Sequence, residues 1–190
     1  MGSTDLYINE DELKLRVPFG MVISGSSSSG KTSFLLKLLK NRNSMFKPEP
    51  KSVLYCFGEY HQDVPKLEAE GIVVCSGPPT TELINDLPKP SLVVLDDLMY
   101  SIKEQWLCEM YTKKSHHQNF GIILLCQNLF DKTLKVARLN SQYIVLLRAP
   151  NALLSIRNLT SQLFPRQVPF FLDAYRIVII NLKNFSDKLW

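Results

Sequence analysis

At 190 residues the chain has room for one α/β domain with a sizeable core, and is too short for two ordinary domains. Hydrophobic residues make up 45% and charged residues 21%, which excludes an intrinsically disordered chain. A net charge of +4 permits contact with a polyanion without requiring it. Cys56, Cys75, Cys108 and Cys126 contain no C-x-x-C pair, which argues against a zinc site and for free thiols in a reducing compartment. No apolar run reaches the roughly 18–20 residues that cross a bilayer. The first residues lack a signal pattern, and Leu6 stands where myristoylation takes Ser or Thr. A soluble intracellular protein with no membrane span is expected, as one domain over 1–190 with a core of about 18–182.

In chain order, Gly20 to Ser24 is an apolar strand that runs into a glycine-framed loop. Thr32 to Leu39 then reads as a helix, with Phe34, Leu35, Leu38 and Leu39 on one stripe. Strands follow at Ser52–Phe57, Gly71–Cys75 and Ser91–Leu95, the last ending in Asp96-Asp97. Residues 103–118 read as a helix, Gly121–Cys126 as a strand tipped by Gln127-Asn128, and Tyr143–Arg148 as a sixth strand. A helix over Leu153–Leu163 stops at Phe164-Pro165, and Tyr175–Leu182 is a late strand. Phe46 to Pro50 and Gly77-Pro78-Pro79 read as loops. The strands are solidly apolar rather than alternating, as strands buried on both faces are. Their alternation with helices predicts an α/β fold: a mostly parallel central sheet covered by helices on both faces.

The loop Gly25-Ser26-Ser27-Ser28-Ser29-Gly30-Lys31-Thr32 matches G-x-x-x-x-G-K-S/T in the strand–loop–helix setting the motif needs. Its glycines let successive N–H groups face one anion, and the helix start adds partial positive charge. The expected ligand is ATP, held by Gly25 through Ser33, with Lys31 on the β- and γ-phosphates and the Thr32 hydroxyl on Mg²⁺. This defines a P-loop NTPase. A second carboxylate is required at a neighbouring strand end, and Asp96 supplies it for the Mg²⁺. Asp97 is assigned to polarising the attacking water, with Glu59 as the rival base. The bland reading of Asp96-Asp97 is a helix cap with a solvated neighbour. Gln127 is placed to contact the γ-phosphate or the water; its bland reading is a turn amide. An amide-tipped strand following the carboxylate strand implies the extra-strand (ASCE, RecA-like) sheet rather than that of a simple nucleotide kinase. Adjacent His116-His117 point in different directions on a helix and lack a carboxylate or cysteine at ligand spacing, so a helix end or subunit contact is expected there.

Four segments carry a resemblance: Asp96-Asp97-Leu98-Met99, Ser115-His116-His117-Gln118-Asn119, Gln127-Asn128-Leu129-Phe130 and Arg138-Leu139-Asn140-Ser141-Gln142-Tyr143. Together they resemble the genome-packaging ATPases of Polinton/Maverick elements and related DNA viruses. These are similar to the poxvirus packaging ATPase and to the FtsK–HerA class of DNA translocases. The resemblance spans roughly residues 18–180. It implies a homo-oligomeric ring, pentamer or hexamer, that pumps double-stranded DNA into a viral capsid at its portal vertex. It also implies an arginine lent by the neighbouring subunit. Arg138 matches the family arginine; Arg157 and Arg148 are alternatives. Where the family has Asn-Pro-Arg-Asp after the sixth strand, this chain has Ala149-Pro150-Asn151-Ala152. The implied location is the infected host cell, in the nucleus or a viral factory, or the virion. Lys103, Lys113, Lys114, Lys132 and Lys135 are candidate DNA contacts, against a bland reading as solvated lysines. Two other functions fit the loop: a phosphotransferase, which needs clustered arginines over the phosphates, and a non-hydrolysing scaffold, in which Asp97 in place of Glu marks lost catalysis.

Overall fold

A computed structural model of the protein describes residues 13–175 and the backbone of residues 177–181. Its strands are β1 (Leu15–Arg16), β2 (Gly20–Ser24), β3 (Phe46–Lys47), β4 (Ser52–Phe57), β5 (Val73–Ser76), β6 (Ser91–Asp96), β7 (Phe120–Cys126), β8 (Tyr143–Leu147) and β9 (Ile177–Asn181). The helices are α1 (Lys31–Lys40), α2 (Arg42–Met45), α3 (Val64–Ala69), α4 (Thr81–Asn85), α5 (Glu104–Glu109), α6 (Ser115–His117), α7 (Lys135–Asn140), α8 (Leu153–Leu163) and α9 (Val168–Asp173). The expected helix over 103–118 is α5 and α6 joined by a π-helical turn, Met110–Lys114. The expected loop at Phe46 to Pro50 contains β3, which pairs in parallel with β1.

The main sheet has the order β5-β4-β6-β7-β2-β8-β9, parallel except for β9, which runs antiparallel to β8. Strands β2, β4, β6, β7 and β8 are buried along almost their whole lengths, which is why they read as unbroken apolar runs. Alternate side chains nevertheless divide between two layers. Met21, Ile23, Tyr55, Val94, Leu125 and Val145 pack with Leu35, Leu38 and Leu39 of α1 and with α3. Val22, Cys56, Val93, Leu124 and Ile144 pack on the other side with Leu107, Ala137, Ile156 and Phe171. The sheet is therefore the middle of three layers. All five parallel central strands end at the same edge, where Phe57 pairs with Asp96 and Ser24 with Cys126. That edge carries the candidate site, as in other open parallel sheets.

Leu182, the last residue of the expected late strand, the stretch from Asn184 to Trp190, and the amino-terminal residues 1–12 lie outside the described residues. Among the described residues no helix is long and apolar enough to cross a membrane.

Candidate nucleotide site at the carboxyl edge of the sheet

The loop from β2 to α1 is pinned at its base on both sides. The Gly25 N–H donates to the Cys126 carbonyl at the end of β7 (3.2 Å), and Ser26 Oγ donates to the Arg148 carbonyl just past β8 (3.0 Å). Gly25 tolerates no side chain, since a Cβ there would lie 2.8 Å from Leu147 Cβ. Ser28 (φ 60°) and Gly30 (φ 91°) take left-handed backbone, curling the loop so that α1 begins at Lys31. Helix α1 has no acidic residue in its first turn and carries Lys37 and Lys40 in its last, so its start keeps the positive end of the helix dipole for an anion. Lys31 Nζ donates to the carbonyls of Gly25 and Ser26, each at 2.9 Å, which holds the ammonium under the loop. Ser29 Oγ is buried and makes no hydrogen bond.

Beside the loop lies a cleft of about 290 Å³. Ser27, Ser28, Lys31, Thr32, Glu59, Asp96, Asp97 and Gln127 all line it, so the side chains singled out from four separate segments converge. Ser33 is exposed on α1 and takes no part in the cleft wall. Asp96 and Gln127 arrive by parity: each continues the strand face that bears Val94 on β6 or Leu125 on β7, the face turned to α1. Asp97 has the opposite parity, and reaches the cleft because its backbone turns left-handed at the strand tip (φ 53°). Glu59 sits alongside because Gly58 has no side chain; a Cβ there would strike the Asp97 carbonyl.

Two residues that sequence reading passed over belong to this edge. Tyr55, fully buried on β4, donates its hydroxyl to Asp96 Oδ2. His61 Nε2 lies 2.8 Å from that hydroxyl, and His61 lines the cleft. Burial pushes the Asp96 carboxyl above its ordinary range, while the Tyr55 hydrogen bond pulls it down. Burial, with the Asp96 charge beside it, also raises the Tyr55 phenol. Burial lifts the Cys126 thiol to about 11, so it is not a thiolate near neutrality. Strand parity was the available signal for Tyr55: it shares a face with Asp96, one strand over. The Thr32 hydroxyl and the Asp96 carboxylate are oxygen donors lining one cleft, a set that suits a hard divalent cation.

Arg138 is not at the cleft of its own chain. Its Nη1 donates to the Leu129 carbonyl (2.9 Å), and its guanidinium lies 5.1 Å from the Phe130 ring centroid, in a groove with Leu139 and Leu159. Arg148 and Arg157 are exposed. On the β8 side of the loop a second cavity of about 570 Å³ adjoins the cleft and shares Ser27 and Gln127 with it. Phe130, Ala149, Ala152, Asn128, Asn151 and Ser155 also line it. His116 and His117 are exposed at the end of α6.

A glycine loop opening α1, and an amide-tipped strand between the loop strand and the carboxylate strand, define a P-loop NTPase with a RecA-like α/β core. No family model and no curated protein matches the chain. Solved structures do. The DNA-packaging ATPase from Sulfolobus turreted icosahedral virus is 14% identical, with a TM-score of 0.60 over 87% of this chain and 93% of that one. The genome packaging NTPase B204 from Sulfolobus turreted icosahedral virus 2, in complex with sulfate, is 13% identical, with a TM-score of 0.58 over 88% and 93%. Its complex with ATP-gammaS gives 14% identity and a TM-score of 0.53 over the same shares. At these identities the likeness is one of fold.

Proposed function

We propose that this chain is the motor subunit of a viral genome-packaging machine, hydrolysing ATP to drive double-stranded DNA into a capsid through its portal vertex. The observation that carries the reading is the Gln127-tipped β7 standing between β2 and β6, in a fold whose solved neighbours include structures named as packaging NTPases. The Polinton/Maverick and poxvirus-like packaging ATPases are the branch its motifs favour. The chain acts in the infected host cell, in the nucleus or a viral factory, or within the virion.

In this reading the triphosphate lies over the loop N–H groups and the start of α1, with Lys31 and the buried Ser29 hydroxyl donating to its oxygens. The nucleoside extends into the cavity on the β8 side, against Phe130 and the Asn128 and Asn151 amides. Thr32 and Asp96 hold Mg²⁺, which when bound neutralises charge on the phosphates. Asp97 orients and deprotonates the attacking water, with Glu59 as the alternative carboxylate on the same cleft, and Gln127 contacts the γ-phosphate or that water. The chain's own Arg138 is engaged elsewhere, which supports completion of the site by an arginine of a neighbouring ring subunit. Exposed Arg148 and Arg157 can serve directly, whereas Arg138 must first leave Leu129 and Phe130. Lys103, Lys113, Lys132 and Lys135 are exposed for DNA phosphates, and Lys114 is 3.7 Å from Glu109.

The test is particle size and ATP turnover with and without double-stranded DNA. Ring-sized particles whose turnover rises several-fold with DNA, and loses that gain at high salt, are expected. Assembled rings indifferent to DNA would sink the motor reading. Near-maximal turnover from a strict monomer would remove the borrowed arginine.

A further inference from the structure

Tyr55 is a polar group buried among aliphatic and aromatic side chains on the α1 face of the sheet. A phenol with no solvent access must satisfy its hydroxyl within the protein. Its donor proton goes to Asp96 Oδ2, and its oxygen faces His61 Nε2 at 2.8 Å. The His61 tautomer follows from its other nitrogen: Nδ1 accepts the Asp63 N–H (3.3 Å), so in the neutral ring the proton resides on Nε2. The donors then run one way, from His61 Nε2–H to the Tyr55 oxygen and from Tyr55 O–H to the carboxylate. Strand pairing of Tyr55 with Val94 sets the phenol in register with Asp96 two residues on, and the His61 ring stands edge-on to it at 5.9 Å.

We infer that Tyr55 and His61 are positioning residues for the metal-binding carboxylate. Tyr55 holds Asp96 by Oδ2 and so presents Oδ1 to the divalent cation. His61 ties the loop after β4, and with it Glu59, to that same carboxylate. Tyr55 thus belongs with the outer partners that orient metal ligands, whose loss weakens metal affinity by about 10- to 100-fold. This inference rests on the reading of the cleft as a Mg²⁺-nucleotide site.

The test separates metal-dependent from metal-independent binding. A fluorescent ATP analogue is titrated onto the full chain in EDTA, and then at fixed nucleotide across a Mg²⁺ series. Tyr55→Phe keeps the ring and removes the donor. It should leave the EDTA affinity unchanged within about twofold and raise the half-saturating Mg²⁺ concentration about tenfold. His61→Ala should raise it by less, and His61→Gln, whose amide can still donate to the phenol, should recover most of the loss. If Tyr55→Phe does not fold, the two His61 variants carry the test. An unshifted Mg²⁺ titration in these variants, or equal losses with and without metal, overturns the inference. Wild-type protein that binds no nucleotide in either condition overturns the nucleotide reading instead; wild type that responds to Mg²⁺ while the variants match it overturns only the role of Tyr55 and His61.

Discussion

The two faces of the central sheet are equally dry and unequally furnished. Against α1 and α3 the β4 and β6 strands present Tyr55 and Asp96 among their aliphatic side chains. Against α5, α7 and α8 the same strands present Leu54, Cys56, Val93 and Leu95, with no hydrogen-bonded side-chain pair between them. The difference follows from the helix that opens on the phosphate loop. On β4 and β6 the side-chain pair Tyr55–Asp96 stands on the face whose helix points its amino terminus at the strand tips, whereas buried hydroxyls on the other face, such as those of Tyr111 and Thr160, donate to backbone carbonyls. Chemistry and stability should therefore separate by face, with Asp97 brought to the cleft side by its left-handed turn despite its opposite parity.

The largest expected effect lies on the cleft side. Asp97→Ala should lower turnover by about 10²- to 10⁴-fold while nucleotide binding persists, the range for loss of a general base. Glu59→Ala should cost far less; the reverse order, read from the same ATPase assay, moves the base to Glu59. On the opposite face, Leu124→Ala opens a hole in the core and should cost about 2–5 kcal/mol of stability. Its folded fraction should bind nucleotide as before; a weakened affinity would break the separation of the two faces.

Asp96→Asn sharpens the comparison because it acts on both properties. Asp96 is raised by burial, so its ionised form is disfavoured in the fold. Its contribution to stability is fullest below the ordinary carboxylate value, and is lost as pH rises through the higher folded one. Near neutrality the neutral amide, which still accepts from Tyr55, should raise Tm by about 2–4 °C while abolishing the response to Mg²⁺. In acid the two proteins should converge, and a thermal melt across pH reads this directly. A variant less stable than wild type at neutral pH would mean that Asp96 repays its burial through contacts the amide cannot make.

Legibility from sequence follows the same division between local and distant. Gly25 to Thr32 was readable because one contiguous segment holds the whole device: left-handed turns, clustered N–H groups and a helix start. Asp96 and Gln127 were readable because each ends an apolar run, and a polar residue at a strand tip stands out. Tyr55 was not, because within Ser52–Phe57 a buried aromatic looks like any other core residue. His61 lay in an unremarkable loop. Arg138 was matched by position, yet nothing local reveals that its guanidinium is held against Leu129 and Phe130. The short β1–β3 ribbon was missed because two-residue strands carry no periodicity.

By itself the sequence determined a P-loop between strand and helix, a set of buried parallel strands and the residues at their tips. Turn chemistry and hydrophobic period act over a few neighbouring residues, and a linear reading captures them. Only the tertiary structure decided that β7 enters between β2 and β6, that Glu59 and Asp97 share one cleft, and that Tyr55 grips Asp96 while Arg138 turns away. Those outcomes depend on strand order and register between segments tens of residues apart, which are settled by packing the whole sheet at once.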